Sequence, residues 1–180
     1  WWWHTPHDLI DKVDEANLVR DTRVLLHATW RLLADPLLPL DHAASMASLL
    51  AELRPLTDRF DAKALIAAAE AVRDESRAIA AHRDAAPEVA ETVNALLMVA
   101  SRALVPADYT DGDRFRHPHA LPMPAWATLQ PIRDLAATAP GSDEEKFAAV
   151  DATRARNRLA HALREARAAL EAARTALETP

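Results

Sequence analysis

The sequence predicts an all-α protein, a bundle of about five helices with a long proline-rich loop. Half of its 180 residues are hydrophobic, and much of that half is Ala and Leu, which together with Arg and Glu favour helices. Gly112 and Gly141 are the only glycines, so few tight turns for β-hairpins are available. The length suits one domain with a core, or one domain plus a short appended segment.

The N-terminal part begins with an irregular segment, residues 1–16. A helix capped by Asp14 or Asn17 is expected to follow as far as Ala34, where Pro36 stops it. Apolar residues at helical spacing give it an amphipathic pattern; they are Leu18, Val19, Leu25, Leu26, Trp30, Leu32 and Leu33.

Three further helices are expected between residues 41 and 105. Asp41 caps the first, Asp61 caps the second, and Pro87 suits the first position of the third. Pro55 ends or kinks the first of them. The side chains predicted to face inward are Ala44, Leu49, Leu50, Leu53, Leu65, Ile66, Ala69, Val72, Ile79, Ala80, Val89, Val93, Leu96, Leu97, Ala100 and Leu104.

Residues 105–140 break the helical pattern with six prolines, which predicts a long loop with a short helix near Pro131–Thr138. Ser142 and Glu145 then form a capping box at the start of a last helix that reaches Glu178. Its seam has heptad-type spacing, which suits packing either within the bundle or across a dimer. The seam residues are Leu159, Leu163, Ala166, Leu170, Ala173 and Leu177.

Charge and composition limit the partners. The net charge is −6 with both signs interspersed, so no basic block favours nucleic acid or an anionic membrane. Polar residues interrupt every apolar run before the roughly 18–20 residues of a membrane span. The chain has no cysteine, which excludes disulfides and thiolate metal sites. Neither an initiator Met nor a signal peptide is present, so we expect a fragment of a longer protein whose compartment stays open.

The strongest candidate for chemistry is His4, in the segment Trp3-His4-Thr5-Pro6. A histidine beside tryptophans is more often structural than a ligand, but a neighbouring proline fixes the backbone and lowers the entropy cost of holding a ligand. Asp8 suits a second-shell acceptor that orients the histidine, and it suits a turn cap equally well.

This segment, with Asp8 and Asp11-Lys12-Val13-Asp14 after it, resembles the ligand motif of the co-catalytic zinc aminopeptidases. That family includes glutamate carboxypeptidase II and the transferrin receptor. Two positions depart from the motif, because His7 stands where the family usually has Glu and Leu9 where it usually has Thr. Neither position is a metal ligand in the family.

Four later stretches follow the family's order. The passage Trp30–Asp41, the helix Asn94–Met98 with Arg102–Val105 after it, the turn Asp113–His117 and a final alanine-rich helix resemble its C-terminal region. The resemblance implies that residues 1–16 are the tail of an α/β peptidase core outside this sequence. Residues 17–180 are then a helical domain like the dimerisation domain of the transferrin receptor, with a homodimer as its partner.

The activity that the family implies is hydrolysis of a terminal peptide bond by a water shared between two zinc ions, with a glutamate as general base. The resemblance makes His4 one terminal zinc ligand. The other ligands and the base lie outside this sequence, so the isolated chain, which has no catalytic residue of its own, is expected to be inactive.

Two tryptophans are predicted to contact the peptide substrate, Trp3 beside the ligand and Trp126 in the proline-rich loop. In the carboxypeptidase of the family, the segment just beyond the turn supplies a lysine and a tyrosine that hold a substrate carboxylate. The corresponding residues here, 120–126, contain neither. An aminopeptidase is therefore favoured, with Trp126 against an apolar substrate side chain or else in the core. His117 and His119 suit a metal or a pocket, or more simply a loop hydrogen-bonded to backbone.

Two other functions stay open. The chain suits a non-catalytic helical dimerisation domain, and it suits a free-standing helical bundle in which the His4 motif is accidental. The remaining helical histidines, His27, His42, His82 and His161, are predicted to be solvated or to cap helices.

Overall fold

A computed structural model describes residues 3–82, 85–110 and 124–179. These residues form six α-helices and no strand, which confirms the all-α prediction. Contacts divide the chain into two compact units, which we call unit 1 (Trp1–Pro39) and unit 2 (Leu40–Pro180). The domain boundary predicted between residues 16 and 17 lies in the first turn of a helix of unit 1.

Unit 1 consists of a turn around His4, a 3₁₀ turn at Ile10–Lys12 and helix α1, Glu15–Ala34. Of the two predicted caps, Asp14 is the one used, because its carboxylate accepts the N–H of Asn17 at 2.8 Å. Arg31 and Asp35 form an ion pair at the other end. No residue of α1 is buried, so its apolar face is exposed.

Unit 2 contains helices α2 (His42–Leu53), α3 (Lys63–Ala80), α4 (Pro87–Tyr109), α5 (Gln130–Ala137) and α6 (Asp143–Glu178). A 3₁₀ turn at Arg54–Leu56 follows α2, and another at Ala127–Leu129 precedes α5. The long helix α6 packs against α3, α4 and α5, and α2 packs against α3. The core of unit 2 therefore lies along α6.

The seam of α6 packs within unit 2. Leu159, Leu163 and Leu170 are fully buried, as are the seam alanines Ala166 and Ala173, whereas Leu177 is half-buried. Ser142 caps the helix, since its Oγ accepts the N–H of Glu145 at 3.1 Å. The return bond of the predicted capping box does not form, because the Glu145 carboxylate accepts the N–H of Gly141 and the Ser142 N–H bonds the carbonyl of Ala139. Gly141, with φ of 80°, supplies the left-handed turn before the cap.

Several inward-facing predictions are confirmed and others are wrong. Helices α2, α3 and α4 bury most of the predicted residues, but Ala44 and Ala80 are exposed. Met46, which the sequence reading omitted, is fully buried. The N-cap of α3 is Ala62, one residue after the predicted Asp61. The carboxylate of Asp61 accepts the N–H of Lys63 at 3.2 Å.

The helical pattern was predicted to break at residue 105, but α4 runs through Pro106 to Tyr109. A proline removes a single N–H from the helix, and here Leu104 and Ala107 are buried on either side of it. Thr110 closes the helix by donating its N–H and its hydroxyl to the carbonyl of Pro106, at 3.0 and 2.6 Å.

Within the described ranges, α4 is the helix long and apolar enough to cross a membrane. Six of its residues are nonetheless buried in unit 2, so one face of α4 packs in the bundle. The absence of a membrane span stays a prediction.

Candidate functional site

The predicted ligand His4 lies in a tight turn of unit 1. Its backbone has a φ of 59°, in the left-handed region that residues with a Cβ rarely adopt. The Oδ2 of Asp8 accepts the N–H of His4 at 3.1 Å, and the N–H of Asp8 bonds the carbonyl of Thr5 at 3.0 Å. Both bonds stabilise the unusual backbone conformation and leave the His4 side chain exposed.

The His4 ring lies beside the indole of Trp3, with ring centroids 4.2 Å apart and planes inclined by 32°. Asp8 contacts the backbone of His4, which is the geometry of the turn-cap alternative. Across residues 3–82, 85–110 and 124–179, no group of three or more His, Asp or Glu side chains could hold a metal ion.

Unit 2 contains a cleft of about 200 Å³ between the start of α2, the end of α4 and Trp126. We call it the α2–α4 cleft. Polar and apolar residues both line it; they are Leu40, Asp41, His42, Ser45, Ser101, Leu104, Val105, Asp108, Tyr109 and Trp126.

His42 is buried in this cleft, so its predicted solvated role is wrong. The side chain is 5% exposed, and its Nε2 lies 3.0 Å from the Oγ of Ser101. Burial lowers the pKa of His42 below 6.5, and the charge of Asp41 opposes the shift. Its Nδ1 is buried without a hydrogen-bond partner in the described part of the chain.

Trp126 is 2% exposed and has a φ of 53°. Its N–H donates to Asp108 at 2.8 Å and its indole N–H to Ser48 at 3.2 Å. This burial fits the core alternative for Trp126, although the residue also lines the cleft.

Arg133 holds the Trp126 segment in place. Its guanidinium donates to the carbonyl of Ala125 at 2.7 Å and to that of Trp126 at 3.4 Å. The same group pairs with Glu52 of α2 at 2.8 Å. The segment before α5 is thereby tied to α2, which sets one wall of the cleft.

Among the described residues, the other histidines named in the sequence analysis do not line the α2–α4 cleft. His117 and His119 lie outside the described residues, as does the predicted turn Asp113–His117. Within the described ranges, His27 and His161 are exposed, as predicted.

The chain was compared with protein-family models, with curated proteins and with solved structures, and none of them matches it.

Proposed function

We propose that this chain is the C-terminal part of a zinc-dependent exopeptidase, of the aminopeptidase kind, in which His4 is one terminal zinc ligand. The observation that supports this most directly is the turn around His4. It holds the residue at a φ of 59° through the bond to Asp8 and exposes the imidazole.

A backbone in the left-handed region costs free energy and persists where the surroundings enforce it, often at functional sites. Here the cost is offset by an Asp8 hydrogen bond and by Pro6, whose ring fixes its own φ. The turn therefore fixes the backbone that carries the imidazole, which reduces the entropy lost when the ring binds a metal ion.

His4 would hold one of two zinc ions together with ligands from the preceding peptidase core. The pair of ions would lower the pKa of a bound water and polarise the scissile carbonyl. Trp3, whose ring packs beside that of His4, would shield one side of the ligand and contact the substrate. On this proposal the isolated chain is inactive and unit 2 is an attached helical domain.

The test is a substitution in the full-length protein that includes the preceding core. We choose His4→Asn, because Asn tolerates a left-handed backbone and the substitution does not strain the turn. We expect the zinc content, measured by mass spectrometry, to fall by one ion per chain. Hydrolysis of aminoacyl anilides should fall more than about a hundredfold, because losing even the outer partners of a ligand costs about 10–100-fold.

His7→Asn is the matched control, since it makes the same change three residues away on an exposed histidine, and it should keep both zinc and activity. Wild-type zinc content and activity in the His4 variant would refute the ligand assignment. A full-length protein without zinc or peptidase activity would leave the non-catalytic helical interaction domain as the function.

A further inference from the structure

Helix α1 of unit 1 carries a wide apolar face that is exposed to solvent. No residue of this helix is buried, and the side chains of the face are between 42% and 82% exposed. We call it the α1 face, and it consists of Leu18, Val19, Leu25, Leu26, Leu32 and Leu33. The helical repeat places Trp30, which is 68% exposed, at its edge.

The area of the α1 face is that of an interface. With typical side-chain sizes, the six residues and Trp30 together expose on the order of 900 Å². The largest apolar patch of a monomeric protein is usually about 300–600 Å². A standard protein–protein interface buries about 800 Å² per partner, so the α1 face is large enough for a stable dimer.

The spacing of the α1 face is the same from either end of the helix. Its residues form three adjacent pairs that repeat every seven positions, and a threonine stands between successive pairs. The pattern is symmetric about the midpoint between Leu25 and Leu26. If a second copy of α1 lies antiparallel across that midpoint, Leu18 is opposite Leu33 of the other copy. In the same way, Leu25 is opposite Leu26, so every apolar residue of the face has an apolar residue opposite it.

The other side of α1 is charged, and most of its charge is neutralised within unit 1. Two of the three arginines of the helix form ion pairs, Arg20 with Asp21 at 2.8 Å and Arg31 with Asp35 at 2.6 Å. A helix that lies on an anionic membrane instead presents a basic polar face to the lipid headgroups. The charges of α1 therefore favour a protein as the partner, with the polar side of the helix left in water.

We propose that the α1 face joins two copies of this chain into an antiparallel dimer with two-fold symmetry. A seven-residue apolar repeat is the spacing of paired helices, and a two-fold interface requires a self-complementary surface. In this register Arg23 of one copy lies about 3 Å along the helix axis from Trp30 of the other, which suits contact between a guanidinium and an indole. The proposal does not depend on zinc binding by His4.

This interface differs from the one that the heptad-type spacing of α6 left open. Leu159 and Leu163 of the α6 seam are fully buried within unit 2, so that seam is occupied in a single chain. The α1 face has the same kind of spacing and is exposed.

The first test is sedimentation equilibrium of the 180-residue chain, whose mass is 19.8 kDa. We expect twice this mass at high concentration, with a dissociation constant of about 10 μM or below. Leu26→Glu brings one unpaired carboxylate from each copy to the centre of the interface and should weaken association at least about a hundredfold. Val24→Glu is the matched control, because Val24 is 62% exposed on the charged side of the same helix, and it should leave the constant unchanged.

The second test is disulfide formation, which reports the orientation because the chain has no cysteine of its own. An equimolar mixture of the Leu18→Cys and Leu33→Cys variants, oxidised by air with copper phenanthroline, should form disulfide-linked heterodimers. Either variant alone should form none, because the two copies of one position are about 22 Å apart along an antiparallel pair, well beyond the reach of a disulfide.

Four results would overturn the proposal. A chain that is still monomeric at about 100 μM, well above the expected constant, is the first. Disulfides in each variant alone but not in the mixture would show parallel pairing. A monomeric chain that binds phosphatidylglycerol vesicles would assign the α1 face to a membrane. A monomeric full-length protein would show that the preceding core covers the face, and this outcome would leave the zinc proposal intact.

Discussion

The Nε2 of His42 lies 3.0 Å from the hydroxyl oxygen of Ser101, and this contact joins the first turn of α2 to α4. The histidine is 5% exposed. Its lowered pKa follows from burial, which removes the water that would solvate an imidazolium, while the nearby carboxylate of Asp41 offsets part of the effect. The folded protein therefore favours the neutral ring.

We predict a loss of stability in mild acid that depends on His42. The unfolded chain, with a histidine pKa near 6.5, binds the proton more tightly than the folded chain does. The stabilising effect of the neutral ring is thus fully present above pH 6.5, and it is lost as the pH falls through the lower folded-state pKa. Urea unfolding from pH 8 to pH 5 should show a shallower pH dependence in His42→Gln.

His161→Gln is the control for this experiment. His161 is exposed on α6 and does not line the α2–α4 cleft, so its substitution leaves the buried His42 unchanged. Its variant should retain the wild-type pH dependence. An unchanged slope in His42→Gln would show that other groups cause the acid sensitivity.

Local rules in the sequence predicted much of unit 2. Caps such as Asp41 and Ser142 act within three residues, and Pro87 begins α4 where its fixed φ suits a first turn. The α6 seam repeats at heptad-type spacing, which places Leu159 and Leu163 on one face, and the structure buries both. Such features need no knowledge of distant residues.

Features that depend on distant contacts could not be predicted from the sequence. His42 is buried by a partner 59 positions away, and Trp126 is bonded to a serine 78 positions away. Neither spacing leaves a periodic signal. Pro106 misled the prediction because burial of its neighbours outweighs one lost helical hydrogen bond. The backbone conformation of His4 depends on a local contact instead, the bond to Asp8 four residues on, and the turn-cap alternative for Asp8 included it.

We predict that Leu163→Ala destabilises unit 2 by about 2–5 kcal/mol, because it opens a cavity in the α6 seam where Leu163 is fully buried. Urea unfolding followed by circular dichroism measures the change. Val150→Ala, at a position of the same helix that is 50% exposed, should cost no more than about 0.5 kcal/mol. Equal costs for the two variants would contradict the central position of α6.

We predict that Ser142→Ala costs about 1 kcal/mol, because it removes the acceptor for the N–H of Glu145 at the start of α6. Ser142→Asp keeps an acceptor there and should remain close to wild type in thermal unfolding. Glu145 would stay partly fixed in both variants, since its carboxylate also accepts from Gly141 at 2.6 Å and from Arg59 at 3.1 Å. A Ser142→Ala variant as stable as wild type would mean that these contacts alone position the helix start.

Substitutions of Asp8 distinguish two ways in which its carboxylate would assist the proposed zinc ligand. Its carboxylate accepts the backbone N–H of His4, a bond that an Asn side chain can also accept. If Asp8 acts through the turn, Asp8→Asn in the full-length protein should keep its zinc affinity, whereas Asp8→Ala should lose affinity because the left-handed turn is no longer fixed. If the charge instead acts on the imidazole ring, Asp8→Asn should itself lose about 10–100-fold in affinity. Zinc competition with a chelating dye distinguishes these outcomes, and the geometry predicts the first.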